Sequence, residues 1–180
     1  MIEYVAPRNI DDRVLSRSVK LLEGGGIAAL PTDTSWSIVC SIQSREGIKK
    51  LRRLSGERDE RYFTLLCSNI SQFGEWCSLD NTRFRLIKRL APGPYVFILK
   101  TLLGTEKALS LRRREIGVKL PDNPVPITLI NTLGCPLYGI TAKRTMARDL
   151  QIDEEDEGGF NALYREDVLF EGGWELEDIP

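Results

Sequence analysis

The sequence predicts an α/β fold: a twisted, open, mixed sheet with helices on both faces. Three observations point there. Short apolar runs such as Ile27-Ala28-Ala29-Leu30 and Phe63-Thr64-Leu65-Leu66-Cys67 are bounded by glycine, proline or serine, as buried strands are. Between them lie segments whose apolar residues recur every three or four positions, the spacing of one helix face. The two patterns alternate along the chain, which is how helices come to cover a sheet.

The elements follow in order. Asp11 or Asp12 can cap a helix carrying Val14, Leu15, Val19 and Leu22 on one side. Gly24-Gly25-Gly26 ends it, because glycine accepts the left-handed backbone at a helix terminus. A strand follows this glycine run, so it is no phosphate-cradling loop of the kind that opens a helix. Ile27 to Leu30 and Trp36 to Cys40 read as strands. Ser44 opens a helix with Ile48, Leu51 and Leu54 on one side. Phe63 to Cys67 is a strand, and Asn81 caps a helix with Phe84, Ile87 and Leu90 inward. Tyr95 to Leu99 and Ile116 to Leu120 are strands, with Phe97 as a core position. Pro124 begins a helix that Gly134 stops, and Leu137 to Thr141 is a further strand.

With 180 residues and 42% hydrophobic content, the chain can bury one substantial core. Residues 1–148 form the expected domain, and 149–180 an acidic segment with an edge strand near Val168-Leu169-Phe170. The apolar runs are too short and too interrupted by charge for a membrane-spanning helix. Met1-Ile2-Glu3-Tyr4 lacks a signal-peptide pattern, so the expected location is the cytoplasm.

The sequence contains no histidine, which removes serine–histidine and cysteine–histidine nucleophiles and most zinc sites. Cys40, Cys67, Cys77 and Cys135 are scattered without a Cys-x-x-Cys pair, so they read as buried free thiols, and no metal is expected. A net charge of −1 conceals a division, with residues 1–148 at +10 and residues 149–180 at −11. A basic body suggests an anionic partner, or an acidic tail that covers it; a solvated surface is the plain alternative.

Pro31-Thr32-Asp33-Thr34 stands where a buried strand emerges, a placement suited to a small polar ligand in an open α/β sheet. Taken alone, the same string is a turn in which Asp33 and Thr34 hydrogen-bond their own backbone.

Leu30-Pro31-Thr32-Asp33-Thr34, Pro92-Gly93-Pro94-Tyr95-Val96-Phe97-Ile98-Leu99 and Ile116-Gly117-Val118-Lys119-Leu120-Pro121-Asp122-Asn123-Pro124 together resemble the YrdC/YciO family in order and spacing. Asp80-Asn81 with Phe84-Arg85-Leu86, and Pro121-Asp122-Asn123-Pro124, place the resemblance nearer the YciO branch. It implies a YrdC-like fold and a kinship with synthases that join threonine, bicarbonate and ATP into threonylcarbamoyl-adenylate for tRNA modification. The nucleotide and substrate positions it implies are Thr32, Thr34, Ser55, Glu57, Lys119, Thr141 and Lys143. Several depart from the family pattern. Its phosphate-binding Lys-x-Arg falls on Ser55 and Glu57, its Gly-x-Arg-x-Pro arginine is Lys119, and its Thr-Ser-Ala-Asn falls on Ile140-Thr141-Ala142-Lys143. The family also continues beyond a segment like Glu171-Gly172-Gly173 into a nucleotide-contacting strand that this sequence does not contain. Arg52, Arg53, Arg58 and Arg61 flank the altered loop and could replace its phosphate contacts, or contact RNA.

Three functions follow. The favoured one is a YrdC/YciO-like protein binding a nucleotide or double-stranded RNA, with weak or absent synthase activity. The second is an active threonylcarbamoyl-AMP synthase, taking ATP with Mg as substrate alongside threonine and using replacement phosphate ligands. The third is a non-catalytic protein-interaction subunit. No covalent cofactor is expected in any of them.

Overall fold

A computed structural model describes residues 5–6, 9–55 and 63–142. The elements are α1 (Asp12–Glu23), β1 (Ala28–Pro31), β2 (Trp36–Ser41), α2 (Arg45–Ser55), β3 (Thr64–Leu66), α3 (Ile70–Trp76), α4 (Asn81–Leu90), β4 (Phe97–Lys100), α5 (Thr105–Leu109), β5 (Glu115–Lys119), α6 (Pro124–Leu133) and β6 (Leu137–Thr141). The strands form one sheet in the order β1-β2-β6-β3-β5-β4. Only β3 and β5 run parallel; the other neighbours are antiparallel, so the sheet is mixed as expected.

Side chains alternate across the strands and build a core on each face. Ile38, Cys40, Leu65, Val118 and Tyr138 point to one face, where α2 lays Ile48, Leu51 and Leu54 against them. Val39, Leu66 and Leu137 point to the other, meeting Leu22 of α1 and Leu129 and Ile130 of α6. Gly47 lets α2 approach β2 closely, since a Cβ there would lie 2.8 Å from Cys40 Cβ.

Several boundaries differ from the sequence expectation, each for a local reason. Asp11 caps α1, accepting from the Arg13 N–H at 2.7 Å, but Gly25 rather than Gly24 takes the left-handed backbone, at φ 80°. Asp80, not Asn81, caps α4: its carboxylate accepts from the Arg83 N–H at 2.7 Å and pairs with the Arg83 guanidinium at 2.6 Å. Phe84 was expected inward, yet it is 39% exposed, because α4 buries only Ile87 completely. Tyr95 and Val96 precede β4 rather than belonging to it, and Ile98 is 61% exposed. At the edge of the sheet among the described residues, β4 has Phe97 and Leu99 against the core on one face and leaves Ile98 exposed on the other. Helices α3 and α5 were not anticipated. Each is too short for an apolar stripe: α3 buries only Phe73, and α5 only Thr105 and Leu109.

The expected acidic segment and its strand, residues 149–180, lie outside the described residues, as do Glu57, Arg58, Arg61 and Lys143. Among the described residues, no helix is long and apolar enough to cross a membrane.

All four cysteines are buried and free. Burial pushes the thiols of Cys40 and Cys77 up to about 12 and that of Cys67 higher still. In the unfolded chain the same groups ionise near 9.0. The folded protein therefore holds protons that the unfolded chain releases above that pH, and stability falls as pH rises from 9 toward 12. The slope reaches about 1.4 kcal/mol per pH unit for each thiol. Urea unfolding at pH 8, 9 and 10 is expected to show this loss, and Cys40→Ala should flatten it; an unchanged midpoint across that range would contradict it.

Candidate functional site

The four-residue turn between β1 and β2, Thr32-Asp33-Thr34-Ser35, is shaped by Thr32. Its N–H and its Oγ1 both donate to the Ser35 carbonyl, at 2.9 and 2.7 Å. The same Oγ1 accepts from the N–H groups of Ser35 at 3.2 Å and Thr34 at 3.3 Å. Thr32, rather than Asp33 or Thr34, is thus the residue that holds the turn by local hydrogen bonds. This frees the next two side chains to point elsewhere. Asn123 secures the arrangement from across the sheet: its Oδ1 caps α6 through the Val125 N–H at 2.9 Å, while its Nδ2 donates to the Thr32 carbonyl at 3.4 Å.

Lys119 ends β5 on the face opposite Val118. It is only 4% exposed. Its Nζ lies 2.8 Å from Asp33 Oδ1 and donates to Thr34 Oγ1 at 2.7 Å. An ammonium has three protons, so two are committed within the protein. Burial pulls Lys119 below the usual lysine range, and the Asp33 contact raises it in part. Both Asp33 carboxylate oxygens are buried, and beyond the ion pair of Oδ1 with Lys119 neither has a hydrogen-bond partner among the described residues.

Above this group sits a cavity of about 60 Å³, walled by Thr32, Thr34, Ser35, Lys119, Thr64 and Thr141 with Ser37, Leu66, Val96, Gly139 and Ile140. Two glycines, Gly139 in its lining and Gly117 beside it, allow close packing there. A Cβ on Gly139 would fall 2.8 Å from Val39 Cγ1, and one on Gly117 would fall 2.9 Å from Val96 Cγ1 and 3.2 Å from Thr64 Oγ1. The lining is mainly hydroxyl, with one internally paired cation, so it suits a small polar molecule held by several weak contacts.

Of the residues expected from sequence, Thr32, Thr34, Lys119 and Thr141 come together around this cavity. Ser55 does not join them: it ends α2, which packs on the other face of the sheet, and its hydroxyl donates to the Arg52 carbonyl at 2.8 Å. Arg52 donates to the carbonyls of Leu109 and Ser110 at 2.7 and 2.9 Å and lies over the Phe63 ring. It ties α2 to α5. Arg53 is exposed on α2. Sequence reasoning missed Asp33 as the partner of Lys119, and Ser35, Ser37 and Thr64 as lining. Polar residues at alternate positions of otherwise apolar strands were the available signal for Ser37 and Thr64. Nothing local in the sequence joins Asp33 to a residue on β5.

A mixed α/β sheet with a hydroxyl-lined crevice where β5 and β6 end has the form of a small-ligand-binding α/β protein. The family model for Sua5, YciO and YrdC proteins, described as "Telomere recombination", matches residues 20–156. The chain belongs to that family. It is 33% identical over 154 residues to YciO of Escherichia coli, covering 85% of this chain and 75% of YciO. The crystal structure of E. coli YciO matches with a TM-score of 0.70 at 31% identity, over 77% of this chain and 69% of that one. A threonylcarbamoyl-AMP synthase of Mus musculus is 26% identical over 141 residues, covering 78% of this chain but only 50% of the synthase. P. abyssi Sua5, crystallised with L-threonine, has a TM-score of 0.66 at 16% identity, over 73% of this chain and 39% of that one; this likeness carries the fold.

Proposed function

We propose that this protein is a YciO-like binding protein whose crevice takes a small polar ligand, a nucleotide or an amino acid such as threonine, with little threonylcarbamoyl-AMP synthase turnover. The observation that carries this reading is the pairing of Lys119 with Asp33 at 2.8 Å. A triphosphate needs uncompensated positive charge around it, because neutralisation and positioning dominate such reactions. Here the crevice cation is matched by a carboxylate, and the other polar side chains lining the crevice are hydroxyls. A lysine in place of the family arginine also gives up two-pronged anion contact. An active synthase taking ATP with Mg would have to draw its phosphate contacts from beyond this crevice.

The test is turnover measured beside an intact family synthase. Threonine- and bicarbonate-dependent pyrophosphate release is expected at least about tenfold lower, a deficit of about 1.4 kcal/mol in transition-state stabilisation. Turnover equal to the intact synthase would overturn the reading. The binding half is read by thermal shift with ATP, AMP and threonine in turn, where a ligand at 100 times its dissociation constant adds about 2.7 kcal/mol.

A second reading, duplex RNA on the surface, is favoured by the exposed cations Arg85, Lys88 and Arg89 along α4, with Arg113 and Arg114 before β5. It predicts binding that weakens steeply with salt and is independent of Lys119.

A further inference from the structure

We propose that Thr34, Lys119 and Asp33 form a nucleophile–base–orienter triad that hydrolyses small activated acyl groups through an ester on Thr34 Oγ1. The arrangement is the one such catalysis requires: a hydroxyl within hydrogen-bond reach of a base, which a third group holds in place. Lys119 Nζ stands 2.7 Å from Thr34 Oγ1 and 2.8 Å from Asp33 Oδ1. Thr34 and Lys119 both line the cavity, whereas Asp33 does not, so the reactive pair faces incoming substrate and the carboxylate lies behind it. Thr32 offers no competing nucleophile, because its hydroxyl is bound to the Ser35 carbonyl.

Lysine matters here for a reason separate from anion binding. A guanidinium never releases its proton in a protein, whereas an amine can become a base. In a chain with no histidine, Lys119 is the basic side chain placed against a cavity hydroxyl. Burial lowers its proton affinity, which raises the neutral fraction. Asp33 is the charged side chain facing it among the described residues; Thr34 and the cavity positions around it are uncharged.

The steps balance without a cofactor. Neutral Nζ takes the Thr34 hydroxyl proton as Oγ1 bonds to the acyl carbon. The carbonyl electron pair moves to its oxygen, which Thr64 and Thr141, lining the same cavity, can meet with hydroxyl protons. As the pair returns, the bond to the leaving oxygen breaks, and that oxygen takes the proton from Nζ. Water then attacks the ester carbon and gives a proton to Nζ. The bond to Oγ1 breaks, Oγ1 recovers the proton, and a carboxylic acid departs. A cavity of about 60 Å³ restricts the acyl part to a few heavy atoms.

The experiment uses the full chain and p-nitrophenyl acetate, reading nitrophenol release together with the mass of the peptide containing Thr34. Release above buffer background and one acetyl group on Thr34 are expected. Thr34→Val keeps the side-chain shape and should slow release about 100-fold or more, in the range for loss of nucleophile or base. Lys119→Arg keeps the charge and should do the same. Asp33→Asn should retain turnover but move the alkaline-rising limb to lower pH, because it removes the neighbour that raises Lys119. Unfolding midpoints of Thr34→Val and the parent are compared, so that a folding defect is not read as a chemical one. Background-level release by the parent, absence of acetyl on Thr34, or a folded Thr34→Val within about tenfold of the parent would each overturn the triad. A limb unmoved in Asp33→Asn would remove Asp33 from it.

Discussion

Replacing Lys119 with alanine is expected to cost about 3–5 kcal/mol of stability, because it leaves the Asp33 carboxylate buried and unpaired. Asp33 Oδ1 is ion-paired with Lys119 Nζ at 2.8 Å, and beyond that contact neither carboxylate oxygen has a hydrogen-bond partner among the described residues. A half-buried turn cannot re-solvate such a group without opening. The control removes both charges: Asp33→Asn with Lys119→Met should be less destabilised than Lys119→Ala alone, since neither charge then needs desolvation. Urea denaturation at pH 7 reads both. If Lys119→Ala loses less than about 1 kcal/mol, the pair behaves as an exposed one and the buried-charge account fails.

Phe73→Ala is the second large effect, at about 3–5 kcal/mol. Phe73 is 0% exposed, the single fully buried side chain of α3, and lies with its ring 6.4 Å from that of Phe97. Removing it leaves a cavity beneath a seven-residue helix whose other core contacts, Ile70 and Trp76, are only partly buried. Phe97, which the sequence marks as core, is only partly buried at the sheet edge, and Phe97→Ala should cost less. Equal losses for the two would put α3 and β4 at the same depth and contradict this packing.

The long elements were legible because their patterns are redundant. Helix α2 repeats its apolar spacing through Ile48, Leu51 and Leu54, and every one of those residues is buried. Strands β1, β2, β3, β5 and β6 are apolar runs closed by turns, and each appears within a residue or two of its expected place. Short elements were not legible. One buried residue in α3 carries no period, and β4 owes its exposure to its place at the edge, which no local pattern records. The same limit acted at the site. Thr32, Thr34, Lys119 and Thr141, singled out by motif, line one cavity, while Asp33 read as a turn residue because its partner lies 86 positions away.

By itself, the sequence determined the α/β class, the burial of the four cysteines, the exclusion of histidine chemistry and the membership of the Sua5, YciO and YrdC family. Those properties follow from composition, periodicity and short motifs, which are local. Only the tertiary structure decided what Lys119 does. Pairing β3 with β5 and β6 sets its amine at one end of the crevice, and the β1–β2 turn brings Asp33 and Thr34 to it. A charge on a strand can bind an anion, hold a turn or take a proton. Which of these it does depends on the groups within about 3 Å of it, and chain folding alone brings those groups there.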